Sequence, residues 1–108
     1  MDKIEKLTKE IVKFRDKRDW KQFHTLENLA KSISIESAEL LECFQWNSTN
    51  VNKEEIEDEL ADIAIYLYLF ANKFDVDLEK IINKKIDKNQ KKYPVKKAKG
   101  KSTKYDKL

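Results

Sequence analysis

Apolar residues recur along this chain at three- and four-residue steps, the spacing of amphipathic helices. Ile4, Leu7, Ile11 and Phe14 mark a first helix over about 2–16. "RDWKQFH" at 18–24 brings aromatics outside that register and reads as a connection. Leu26, Leu29, Ile33, Leu40 and Phe44 share one face of a second helix, about Leu26 to Trp46, which "NSTN" then breaks. Asn52 followed by Glu55 is an Asn variant of the capping box and opens a third helix, about 53–74. Asp77, after a short turn, is the N-cap of a fourth, about 78–91, which must end before Pro94. The pattern predicts an all-α, four-helix-bundle-like domain over 1–94 and a tail over 95–108 without apolar periodicity.

The third helix departs from simple amphipathicity. In "LADIAIYLYLFA", Leu60 to Ala71, every residue but Asp62 is apolar or aromatic. A helix apolar all round is normally buried, and a buried carboxylate is costly unless it is paired or binds a metal. Four helices do not easily surround one of their own members. The back face formed by Ile65, Tyr68 and Leu69 therefore predicts a second subunit as cover, and so an oligomer.

Composition narrows the class. The single Gly, single Pro and 40% charged residues suit helices rather than strands. The net charge is +3, and the six Lys and one Asp of residues 95–108 contribute +5 of it, leaving −2 for residues 1–94. A mildly acidic body does not indicate a nucleic-acid-binding face. With Cys43 alone, neither an intrachain disulfide nor a cysteine-based zinc site is available, and a small buried hydrophobe is the expected role. The first helix lacks the apolar core of a signal peptide, and no apolar run reaches the ~18 residues of a membrane span. A cytoplasmic protein with no membrane partner is the expectation.

Asp62 has a partner one turn back, Glu59, in "ELAD", and the second helix repeats the arrangement with Glu36 and Glu39 in "ESAE". Residues three apart project together, and both pairs fall on the same flank of the apolar face. The short connection makes the two helices antiparallel neighbours, with both pairs roughly 9–15 Å from the turn. Four carboxylates at one level of a helical hairpin repel one another unless a cation is shared. Oxygen-only ligands suit Mg²⁺, with Mn²⁺ as the other candidate. Most helical acid pairs are solvated surface, but matched heights and flanks favour the metal reading. A di-iron bundle would need Glu-x-x-His motifs, and the only histidine, His24, belongs to none.

These residues resemble the MazG-like all-α nucleoside triphosphate pyrophosphohydrolases, closest to the dCTP pyrophosphatase branch. That family's Glu-x-x-Glu, spacer, Glu-x-x-Asp pattern reads here Glu36, Glu39, Glu59, Asp62, and it is flanked by "RDWKQFH", "ELLECFQW", "DELADIAIYL", "KIDKNQKKYP" and "AKGKSTKY". The resemblance implies hydrolysis of a (deoxy)nucleoside triphosphate to the monophosphate and pyrophosphate. Its substrate is then dCTP or a related pyrimidine nucleotide, with dUTP or another triphosphate as the alternative. It implies Mg²⁺ on the four carboxylates, which are also the catalytic residues, and a homotetramer. A non-enzymatic helical partner with a nucleic-acid-binding tail is the competing class, which the acidic body disfavours.

The same resemblance makes Trp46 an aromatic wall of the base pocket, with Trp20 and His24 near it. Tyr66 lies one turn beyond Asp62 on the same flank, in reach of a ligand held there. On the fourth helix and just after it, Lys85 can pair with a phosphate, Asn89 can hydrogen-bond base or sugar, and Tyr93 completes the substrate set. The basic tail, which composition alone marks as disordered, is implied to close over a site, with Lys96 and Lys97 as its phosphate contacts.

Overall fold

The computed structural model describes residues 2–46 and 49–108. The elements in order are α1 (Lys3–Lys17), a 3-10 turn (Lys21–Phe23), α2 (Leu26–Glu42), α3 (Lys53–Lys73), α4 (Leu78–Lys92), the short α5 (Val95–Ala98) and a 3-10 turn (Tyr105–Lys107). The described residues form no strand. No helix among them is long and apolar enough to cross a membrane. The chain divides into two compact units, Met1–Val76 and Asp77–Leu108.

Each long helix begins on a side-chain cap. Asp2, Thr25, Asn52 and Asp77 accept hydrogen bonds from the N–H groups of Glu5, Asn28, Glu55 and Lys80 at 2.8–3.1 Å. Each satisfies one of the donors that a helix start leaves unpaired, a contribution of about 1 kcal/mol apiece.

In the first unit α3 packs against both α2 and α1. The hairpin runs antiparallel: Cys43 near the end of α2 lies beside Glu55 at the start of α3, while Glu36 meets Glu59 and Asp62 further along. The buried centre is small. Leu29, Leu69 and Ala71 are the buried apolar residues among those described, and the Arg15 side chain is buried as well. Glu36 lies seven residues after Leu29 and Asp62 seven before Leu69, so the carboxylates sit about 10 Å along the hairpin from this centre.

Two expectations need correction. The second helix does not reach Trp46. Cys43, Phe44 and Gln45 donate to the carbonyls three residues back, which tightens the last turn and ends α2 at Glu42. Of the expected "NSTN" break, Asn47 and Ser48 lie outside the described residues. The back face of α3 is the second: Leu69, expected there, is instead buried in the chain's own centre, while Ile65 is 38% exposed.

Both α1 and α3 close with the same turn. Asp19 (φ 53°) and Asp75 (φ 57°) occupy the left-handed region just past the helix. Their N–H groups reach the carbonyls of Asp16 and Asn72, and the next residues, Trp20 and Val76, reach back to Arg15 and Ala71. Glycine usually fills that position; Asp tolerates it through its short polar side chain.

In the second unit the tail folds back on its own helix. Tyr105 meets Tyr93 edge to face at 6.1 Å and lies under the Lys92 Nζ at 4.8 Å. Gly100 supplies the positive φ (75°) along the way.

Candidate metal and nucleotide site

The carboxylates converge as the spacing predicts. Glu36, Glu59 and Asp62 offer oxygens that all lie within 4.8 Å of one another. Glu39, one turn on from Glu36, lies close enough to raise the pKa of Glu36. Together with Glu42, Cys43, Glu55 and Glu59 it lines an open cavity of about 400 Å³. Glu36 and Glu59 are half-buried. Asp62 is exposed, on the flank of the apolar face that also brings it to Glu36, rather than buried among its apolar neighbours.

The electrostatics show strain of a specific kind. Sharing a hydrogen bond with Glu39, partial burial, contact with Glu59 and repulsion from Glu39 and Asp62 push Glu36 up to about 7. Burial, with Glu39 and Asp62 adding to it, also raises Glu59 above the usual carboxylate range, against a lowering hydrogen bond from Glu36. One oxygen of each, Glu36 Oε2 and Glu59 Oε2, is buried with no hydrogen-bond partner. Buried acceptors without donors carry a desolvation penalty that a cation would remove. An all-oxygen donor set with two such atoms fits a hard divalent ion.

The cavity adds Glu42, together with Glu55 and Cys43, which the sequence marks only as a capping-box partner and a buried hydrophobe. The signal was there: Glu39 to Glu42 is a step of three and Glu55 to Glu59 a step of four, so both ladders continue towards the loop. Cys43 is half-buried rather than buried, and its Sγ donates to the Glu39 carbonyl at 3.5 Å. Burial and the nearby Glu55 and Glu59 hold the thiol above its ordinary range.

The expected pocket residues fall into four groups. Tyr66 is half-buried on α3, one turn past Asp62. Trp46 lies past the end of α2 and is 90% exposed. Trp20 and His24 follow α1. The His24 Nδ1 is buried without a partner, and burial together with the buried Arg15 guanidinium lowers its pKa, which keeps the imidazole neutral. Lys85 and Asn89 share a face of α4, and Tyr93 caps that helix; all three belong to the second unit.

The MazG-like family profile matches residues 31–108. Mouse dCTP pyrophosphatase 1 is 33% identical over 114 aligned positions, spanning 97% of this chain and 67% of that protein. The human dCTP pyrophosphatase 1 is 32% identical over the same shares. A pyrophosphatase from Archaeoglobus fulgidus, solved by crystallography, superposes with a TM-score of 0.76 at 39% identity, covering 87% of this chain and 94% of its own.

Proposed function

Because the chain belongs to the MazG-like family, and is a nucleoside triphosphate pyrophosphohydrolase, we propose that its substrate is dCTP or a related pyrimidine deoxynucleotide and its ion Mg²⁺. The observation that carries the metal reading is the pair of buried, partnerless carboxylate oxygens on Glu36 and Glu59 beside Asp62. Glu36, Glu39, Glu59 and Asp62 would hold the ion. When bound, Mg²⁺ offsets the charge developing on phosphate oxygens and lowers the pKa of a water.

The chain's own residues supply the rest. Glu39 lines the cavity and touches Glu36, so we assign it the proton of the attacking water. The Trp20 and Trp46 rings offer flat surfaces for a base, and a neutral His24 can hydrogen-bond it without imposing charge. Tyr66 stands near enough to Asp62 to orient the nucleotide. Lys85, Asn89 and Tyr93 serve phosphate, sugar or base, and Lys96 and Lys97 are further phosphate contacts. Residues 1–94 form the catalytic domain in this reading and 95–108 a basic tail. Exposed Ile65 and Leu60 support a homo-oligomer, a tetramer by resemblance.

The test is a panel of nucleoside triphosphates with Mg²⁺ and chromatographic separation of products. The expected result is monophosphate with pyrophosphate, fastest from dCTP. Release of orthophosphate, or no turnover of any pyrimidine nucleotide, would overturn the proposal. A clear preference for dUTP would replace the substrate and keep the reaction.

A further inference from the structure

The turn that ends α1 does more than stop a helix. It places Trp20 so that its ring meets Phe14 edge to face, centroids 5.8 Å apart and planes at 73°. The Arg18 guanidinium lies over the Phe14 ring at 3.6 Å and within 5.9 Å of the Trp20 ring. Arg18 is fixed from its other side, because its Nη1 donates to the Phe14 carbonyl at 3.0 Å. Asp19 is fixed as well: Gln22 Nε2 donates to its carbonyl at 3.0 Å and to its Oδ2 at 3.1 Å. Backbone, aromatic edge and cation thus all constrain one indole, yet 44% of Trp20 stays exposed.

The end of α3 closes with the same backbone turn at Asp75, but there Phe74 packs on Phe70, centroids 6.0 Å apart, where α1 has Arg18 over Phe14, and Val76 stands where α1 has Trp20. A planar cation and a partly exposed indole are thus what distinguish the α1 turn. An indole fixed on one side by Phe14 and Arg18 and still 44% exposed offers the rest of its surface for stacking on a flat ligand.

We infer that Arg18 is a positioning residue: by clamping Phe14 and Trp20 it presents the open indole face as the stacking surface for the nucleobase. This rests on the functional reading above, in which Trp20 borders the base pocket. A preset ring spares the ordering cost that a free one pays on binding. Arg18 itself touches no reacting atom, so its loss acts on binding and leaves the chemical step alone. Lysine keeps the charge but has neither the planar group nor the fork that spans the Phe14 ring and carbonyl.

The experiment compares wild type, Arg18→Ala and Arg18→Lys. For Arg18→Ala, KM for the preferred triphosphate rises about two- to fivefold, the size of an exposed cation–π contact, with kcat unchanged. Arg18→Lys falls between the two. In a second arm, Trp46→Phe leaves Trp20 as the sole tryptophan, and adding Arg18→Ala increases acrylamide quenching of its emission. Unchanged KM, a fall in kcat alone, or equal quenching with and without Arg18 would each overturn the inference. A wild type that hydrolyses none of the triphosphates overturns the functional reading and this inference with it. An active wild type with an indifferent Arg18→Ala overturns this inference only.

Discussion

The carboxylate level of the α2–α3 hairpin and the closing turn of α1 belong to the same compact unit and are built on opposite terms. In the hairpin, like charges are brought together, and two carboxylate oxygens lack donors. At the turn, local partners are close at hand: Arg18 has an aromatic ring and a carbonyl, and the Asp19 carbonyl and carboxylate have Gln22. The first arrangement is unfavourable until something binds. The second is complete before anything does. A site for a charged ligand can be recognised by what it lacks, and a site for a flat neutral ligand by how firmly an exposed ring is held.

The largest effect expected from breaking this contrast lies in the hairpin. Glu59→Gln and Asp62→Asn keep shape and remove a ligand charge, so each should lower kcat by at least about a hundredfold while circular dichroism stays helical. Near-wild-type rates in both folded variants would remove the metal assignment.

Next in size is the response to the ion. A ligand that binds only the folded state stabilises by about 2.7 kcal/mol at a hundredfold excess over Kd. Melting with Mg²⁺ rather than chelator should therefore rise by several degrees in wild type and hardly at all in Glu36→Gln. Equal shifts in the two proteins would place the ion elsewhere.

A pH effect follows from the same group. Glu36 titrates at about 7 in the folded chain against an ordinary 4.5. Between these values the native state keeps a proton that the unfolded chain has released, so metal-free stability falls as pH rises through this window. Melting in chelator across pH 4.5 to 8 should show the decline in wild type and a weaker one in Glu36→Gln; parallel curves would contradict it. Protons and the ion compete, so Mg²⁺ affinity should climb over the same range.

The smallest effects belong to the turns. Asp19→Val puts a β-branched residue at φ 53° and should cost about 1–2 kcal/mol, with a raised KM because Trp20 swings away. Asp75→Gly, at φ 57°, should leave stability within about 0.5 kcal/mol, since glycine accepts that conformation freely. A large loss in Asp75→Gly would mean that the aspartate side chain holds the turn.

How much of this was legible in the sequence varies by element. Helix starts were readable at Asn52 and Asp77 because caps are local chemistry, a side chain bonding a backbone group three residues on. The convergence of Glu36, Glu59 and Asp62 was readable because two antiparallel helices share one pitch. The end of α2 was not, since the chain there has neither Gly nor Pro and tightens only through i→i+3 bonds. The left-handed Asp19 was hidden for a similar reason: aspartate also suits ordinary turns and caps. Asp62 was misjudged because apolar neighbours along a helix say nothing about which of its faces the same chain covers.

The contact between Tyr93 and Tyr105 fastens a loop whose ends are twelve residues apart. Bringing such ends together costs about 2.2 kcal/mol in chain entropy, plus a constant. An aromatic pair returns about 0.5–1.5 kcal/mol and the Lys92 contact about 0.5–1 kcal/mol more. The two sides are of similar size, so the aromatic contact alone is expected to fasten the tail only weakly. Amide hydrogen exchange reads this directly. Backbone protection across 99–104 should be slight beside that of α3, and Tyr105→Ala should abolish what there is. Six lysines lie on this segment, so the same contact governs where their charge is held.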